Sequence, residues 1–269
     1  MRWFTDDVLA SKQLTVDGYR HFSSFLSPDD VARACGLYEE VLRRSNRPMG
    51  DEWWVTTLLG DSDVSALIDG GLRTIVSPRL NRIADADSIQ MVLLDFAIKP
   101  PSTMSELGPH ADHSITDESR ARGAYLWIPL QDTNEYNGTL YVVPGSHNHV
   151  NRVRSLHVPA RFDGSFEEIR RSAVRIDCQA GDMVAMSAGL VHFSPPNQSE
   201  TPRPALFIPA IPIDEPLLFY YCDDATPEGW VEAHEVSARQ YVAAFTDGRA
   251  ALEGPPSMLV PKPNEISPW

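Results

Sequence analysis

His110 and Asp112 stand one residue apart in the run Gly108-Pro-His-Ala-Asp-His113. In an extended segment the side chains of positions i and i+2 leave the backbone on one face. An imidazole nitrogen and a carboxylate oxygen then converge on one point, and a metal ion is the natural occupant. A third ligand must come from a distant strand. His192, in Gly189-Leu-Val-His-Phe-Ser194, follows the apolar run 183–187 and meets that need. Two histidines and one carboxylate form the donor set of non-haem Fe(II) sites, which leave one side of the metal open for a co-substrate and O2. A His-x-Asp pair alone is a weak signal and arises often by chance.

Arg203 adds weight. It lies 11 residues beyond His192, at the start of the β-rich run 204–211. In an antiparallel hairpin it folds back beside His192 and faces the same cavity. A guanidinium grips a carboxylate through two parallel hydrogen bonds. Ser194 points the same way as His192 and offers one more. A metal triad with a carboxylate clamp behind it suits a 2-oxoacid with a distal carboxylate.

These residues need a β scaffold. Runs at 88–97, 123–130, 139–143, 173–177, 183–187 and 204–211 read as short strands bounded by Gly or Pro, with Asn137-Gly138 as a turn. Many short strands with close turns predict an antiparallel sandwich or jelly roll. Ser27-Pro28-Asp29-Asp30 opens a helix that fades near residues 44–46, with Val31, Ala34, Tyr38 and Val41 as its apolar stripe. A second helix is expected over 237–246, capped by Ser237 and ended by Gly248. The last 15 residues hold five prolines, which predicts an extended, packed or frayed tail.

The chain has 269 residues and a net charge of −14. Its 42% hydrophobic and 22% charged residues exclude wholesale disorder. An acidic chain repels phosphate backbones, so no nucleic-acid partner is expected. The three cysteines, Cys35, Cys178 and Cys222, are widely spaced, against a thiolate zinc site or a disulfide framework. The first residues carry acids and no apolar stretch, unlike a secretory signal. No run of about 18 apolar residues occurs. A cytoplasmic protein, monomer or homodimer, with no membrane partner is the expectation.

The ordered set of motifs resembles the phytanoyl-CoA dioxygenase-like (PhyH) family of Fe(II)/2-oxoglutarate-dependent oxygenases. Asp17-Gly18-Tyr19, then Phe25-Leu26-Ser27 with the capped helix, is similar to the family's N-terminal entry. His110-Ala-Asp112 resembles its first two ligands. Trp127, Asn137-Gly138-Thr139-Leu140 and Pro144-Gly145-Ser146-His147 resemble its middle stretch. His192-Phe-Ser194, Asn197 and Arg203 resemble its distal ligand and co-substrate clamp. The resemblance implies a mainly β fold with flanking helices, a double-stranded β-helix (jelly roll, cupin-like). It implies one domain over 1–269: a helical part about 1–85, a β-helix core about 86–215, and a C-terminal helix and tail 216–269. Fe(II), 2-oxoglutarate and O2 are the implied cofactors, with succinate and CO2 as co-products. Hydroxylation is the implied outcome, while some relatives desaturate, cyclise or epimerise. Related halogenases carry a small residue in place of the carboxylate, so Asp112 argues against halogenation.

Blander readings stand beside these. His113 lines the substrate mouth or serves a structural or surface role. His147 fixes the turn after a strand. His21, His149, His157 and His234 lack partners at ligand spacing. Trp127 suits core packing or the co-substrate pocket, and Ser194 and Asn197 can satisfy turn backbone groups. Arg170-Arg171 reads as a solvated helix face. A jelly-roll binding protein without catalysis, or a cupin-like hydrolase or isomerase, is the other class. Stretches 58–80, 104–122 and 148–166 are candidate lid loops. Few basic residues (Arg152, Arg154, Arg161) face a polyanionic thioester, so a small neutral or zwitterionic metabolite, amino-acid-like or from secondary metabolism, is the expected substrate.

Overall fold

The computed structural model describes residues 8–45, 49–84, 88–158 and 166–263. In chain order these form helix α1 (Val8–Val16), strand β1 (Tyr19–Phe22), helix α2 (Pro28–Ser45), strand β2 (Trp54–Val55) and helix α3 (Ser62–Leu80). Strands β3 (Ile89–Met91), β4 (Asp95–Lys99), β5 (Leu107–His110), β6 (Ala124–Pro129) and β7 (Leu140–Val142) follow. Next come helix α4 (Phe166–Ser172) and strands β8 (Val174–Ile176), β9 (Met183–Ser187), β10 (His192–Ser194), β11 (Arg203–Pro212), β12 (Leu218–Tyr221) and β13 (Trp230–Glu235). Helix α5 (Ala238–Asp247) and strand β14 (Met258–Pro261) end the described chain.

Every paired strand is antiparallel. The larger sheet runs β1-β9-β6-β11-β4-β2, with β3 also on β11. The smaller runs β5-β10-β7-β8, and a third joins β12-β13-β14. The fold is the expected mainly β jelly roll with flanking helices, as two open sheets rather than a closed barrel.

Alternation along β11 separates two cores. Leu206 and Ile208 face outward with Leu126, Ile128, Phe96 and Ile98, and pack under α2 and α3. The odd-numbered residues Arg203, Phe207 and Pro209 face the cavity between the sheets. Period-two alternation thus fixes which side chains line the cavity.

The expected strand at 88–97 is broken into β3 and β4. Both pair with the same edge of β11, and the register slips by one residue between Phe207↔Asp95 and Ala210↔Met91. Pro209 stands between them, and its carbonyl accepts from Val92 N at 2.8 Å. A proline has no N–H to return on that edge, so a bulge replaces the regular ladder there.

The stretch 58–80 is scaffold rather than lid. Asp61 caps α3 through the N–H groups of Asp63 and Val64. Val64, Ile68, Leu72, Ile75 and Val76 then form a buried stripe at helical spacing. The expected helix at 237–246 is α5, with a Ser237–Gln240 capping box. The helix expected from Pro28 ends at Ser45, while Asn46 lies outside the described residues. The proline-rich tail contributes β14 as far as Pro261, and residues 264–269 also lie outside the described residues. No described helix is long and apolar enough to cross a membrane.

Candidate active site

β5 and β10 are neighbours, and His110 stands directly opposite His192. Their ring centroids are 4.2 Å apart. Each Nδ1 lies 2.9 Å from a carbonyl oxygen two residues upstream, that of Gly108 or Leu190. Donation from Nδ1–H sets the tautomer and leaves the Nε2 lone pair free as a ligand. The two Nε2 atoms lie 3.7 and 3.9 Å from the oxygens of Asp112. One donor atom from each residue falls within 4.8 Å of the others.

Asp112 Oδ2 is buried without a hydrogen-bond partner. Burial pushes His192 down to about 4, with His110 adding to the fall. Burial opposes charge on Asp112 as well, but His192 and His110 outweigh it and hold the carboxyl below its ordinary range. On His110 burial is outweighed by the Asp112 carboxylate, and the pKa rises. A neutral His192 beside an ionised carboxylate is the state a divalent cation requires.

The triad borders a cavity of about 380 Å³ between the sheets. Arg203 reaches it from the larger sheet. It does not lie in a hairpin with His192, because β10 pairs only with β5 and β7 while β11 pairs with β3, β4 and β6. The two residues approach the cavity from opposing sheets. Arg203 is buried, and its Nε and Nη1 have no partner. Its guanidinium lies 5.4 Å from the Trp127 ring centroid. Burial lowers its pKa to about 10.

Lys99, directly across the ladder from Arg203, was not singled out by sequence reasoning. It is buried, and Nζ donates to the carbonyls of Ser105, Ser194 and Pro195 at 2.5, 3.1 and 2.8 Å. Burial pushes it down to about 7, with Arg203 adding. Two buried cations side by side call for an anion between them. A lone Lys closing an apolar strand was the available signal.

Trp127 both lines the cavity and packs in the core. Ser194 lines the cavity, but its hydroxyl donates to the Gly138 carbonyl at 2.8 Å rather than waiting free. Asn197 donates to the Lys99 and Thr201 carbonyls, a turn-satisfying role. His113 lines the cavity and stacks on Phe245 at 5.4 Å. His147 is buried away from the triad, 3.0 Å from the Thr15 carbonyl.

His21 does have partners at ligand spacing. With Cys178 and Asp182 it forms a second group of potential donors. Asp182 already accepts from Ser24 N, Gln179 N and His21, which makes it a structural bracket. His234 is likewise paired, 2.9 Å from Glu232. Arg154 is no surface cation: it is fully buried against Glu118. Arg161 lies outside the described residues. Arg170 packs over Phe193 at 5.1 Å and pairs with Glu106, so it is only partly a solvated face.

The family described as Phytanoyl-CoA dioxygenase (PhyH) matches residues 14–205. Phytanoyl-CoA dioxygenase 1 of Oryza sativa subsp. japonica is 30% identical over 123 residues, 43% of this chain and 42% of that protein. Phytanoyl-CoA dioxygenase of Arabidopsis thaliana is 32% identical over 126 residues, 44% of this chain and 43% of that one. The match thus spans less than half the length of these curated relatives. Among solved structures, the α-ketoglutarate-dependent carbocyclase SnoK from nogalamycin biosynthesis superposes with a TM-score of 0.58 at 20% identity, covering 78% of this chain and 86% of that one. The non-haem monooxygenase ThoJ gives 0.60 at 21%, covering 77% and 79%. At those identities the likeness is one of fold. The family match takes in His110, Asp112, His192 and Arg203 together, so this chain belongs to the phytanoyl-CoA dioxygenase (PhyH) family.

Proposed function

We propose that this chain is one oxygenase domain that depends on Fe(II) and 2-oxoglutarate and hydroxylates a small organic molecule. One observation carries the reading. A two-histidine, one-carboxylate cluster with an unpartnered Asp112 oxygen shares a cavity with an Arg203 guanidinium that has two unpartnered nitrogens. Both orphaned groups fit the proposed occupants: Asp112 faces a cation and Arg203 faces a carboxylate.

His110, Asp112 and His192 would hold the metal. Arg203 would hold the distal carboxylate of 2-oxoglutarate, with the Trp127 face against its guanidinium and Lys99 supplying further positive charge. Ser194 tethers the Gly138 turn beside them. Bound there, iron and 2-oxoglutarate would, with O2, convert a substrate C–H bond to C–OH with release of succinate and CO2. The same donor set serves cyclisation and epimerisation. The likeness to SnoK and to the epimerase SnoN, itself solved with Fe3+ and α-ketoglutarate, keeps those outcomes within reach of this fold. The substrate is proposed as a small metabolite and the setting as cytoplasmic.

The test is anaerobic purification followed by addition of Fe(II), 2-oxoglutarate and O2, with succinate as the readout. Slow succinate formation is expected even without the substrate. Arg203→Ala should raise the 2-oxoglutarate requirement at least about 10-fold, as expected for a lost charge-assisted pair, with iron binding retained. No succinate together with no anaerobic 2-oxoglutarate binding would overturn the reading.

A further inference from the structure

The cavity changes character along a single strand. Arg203 and Pro209 are both on its wall, six positions apart along β11, about 20 Å of strand. At the Arg203 end the wall is cationic. Trp127, against the Arg203 guanidinium, pairs across the ladder with Phe207, and beyond it Tyr125 pairs with Pro209 at the other end. A five-carbon diacid held at Arg203 leaves this second end free for substrate.

That end is built from aromatic rings. Tyr125 and Phe207 stack with centroids 5.0 Å apart. His113 stacks on Phe245 with 17° between the planes. Phe245 meets Tyr241 edge-on at 5.2 Å, and Phe219 braces both from behind at 5.4 and 5.6 Å. Tyr241 and Phe245 belong to α5, one helical turn apart, beyond the residues 14–205 that carry the family match. The α5 part of this wall therefore lies outside the family-matched segment, while His113 and Tyr125 lie within it.

Its polar groups are few. The Tyr125 hydroxyl donates to the His113 carbonyl at 3.2 Å, and Tyr241 lines the same cavity. Two carboxylates border this end: Asp112, the metal-ligand candidate next to His113, and Asp95, across the ladder from Phe207. Asp95 already has donors. Its oxygens are taken by Thr56, Thr57 and the Phe96 N–H. Among the described residues, a substrate carboxylate would find no side-chain cation here, and for a substrate ammonium Asp95 is already hydrogen-bonded and Asp112 is committed to the proposed metal. Burying either charge unpaired is costly.

From this we infer that the aromatic end takes a neutral, ring-bearing molecule with a hydroxyl or carbonyl to meet the tyrosines, and that Tyr241 and Phe245 determine that specificity. The inference rests on the reading that 2-oxoglutarate occupies the cationic end. It also narrows the substrate away from zwitterions.

The experiment is calorimetric titration of the full chain under anaerobic Fe(II) and 2-oxoglutarate with three probes: 2-naphthol, 2-naphthoate and L-tyrosine. 2-Naphthol should bind, and the two charged probes at least about 10-fold more weakly. Phe245→Ala should weaken 2-naphthol at least about 10-fold, from lost ring contact. Phe245→Leu, which keeps an apolar side chain, serves if the alanine variant fails to fold and should also weaken it. Loss of 2-oxoglutarate binding alone, with 2-naphthol still bound, sinks the function and leaves this pocket standing. No 2-naphthol binding, tighter binding of a charged probe, or a folded Phe245 variant with unchanged affinity would overturn the pocket.

Discussion

The Arg154 Nε donates to the main-chain carbonyl of Asp112 at 2.8 Å. Arg154 also pairs with Glu118, and both side chains are only 1% exposed. Ser114, two residues past Asp112, exchanges main-chain and hydroxyl bonds with Arg152 and Arg154. A buried ion pair therefore clips the ligand-bearing segment in place.

Arg154 is accordingly a positioning residue. Arg154→Lys keeps the charge but lacks the planar fork that serves Glu118 and Asp112 together. It should lower Fe(II) affinity about 10-fold, in the range seen for groups that orient metal ligands. Metal titration with a spectroscopic Co(II) surrogate checks this. Glu118→Ala, which strands the guanidinium, should instead cost about 3–5 kcal/mol of stability. An unchanged Co(II) affinity in a folded Arg154→Lys protein would refute the positioning role.

Lys99 should make co-substrate binding pH-dependent. Burial holds it down to about 7 beside Arg203, with Glu106 acting in the opposite sense. A dicarboxylate bound nearby favours the ammonium, so binding takes up a proton above that pKa. The 2-oxoglutarate-induced rise in melting temperature should be larger at pH 6.5 than at pH 8.5, values chosen to bracket about 7. Lys99→Met should flatten that difference. An equal shift at both pH values in the parent protein would remove Lys99 from the account.

The sequence made the ligand spacing legible because period two is a local rule: His110 and Asp112 need only an extended backbone. Most strands were legible for the same reason. What escaped were long-range pairings. That Lys99 lies across from Arg203, and that Pro209 forces a bulge opposite Val92, depend on which strands become neighbours. The short strands β2 and β5, two and four residues long, carry too little alternation to read. The stretch 58–80, expected as a loop insert, is largely helix α3, whose stripe of Val64, Ile68, Leu72, Ile75 and Val76 is present in the sequence. Its interior Gly70-Gly71 and Pro78 obscured the pattern.

Asp95 ties the segment after β2 to β4. Burial raises its pKa to about 6, partly offset by donors from Thr56, Thr57 and Phe96. A carboxyl whose folded pKa exceeds its unfolded value stabilises the fold below the unfolded pKa, and that contribution is lost as pH rises through about 6. The difference in unfolding free energy between the parent and Asp95→Asn should therefore change between about pH 4 and 6 and level off above that. Denaturant titrations across that range are the check. A constant difference would mean that Asp95 stays ionised throughout.

Gly138 joins the turn to the clamp. Its φ is +78°, a conformation that disfavours any side chain with a Cβ. An added Cβ would stand 2.7 Å from the Pro195 carbonyl oxygen and 2.6 Å from Lys99 Cδ. The same residue's carbonyl accepts from Ser194. Gly138→Ala should therefore destabilise by more than about 1 kcal/mol, the cost of the dihedral alone. It should also weaken 2-oxoglutarate binding, because Lys99 must move. Gly60→Ala, at φ +70° with nothing within 4 Å of the new Cβ, isolates the dihedral cost. If both variants lose the same stability and both retain 2-oxoglutarate affinity, the close approach of Gly138 to Lys99 has no bearing on the site.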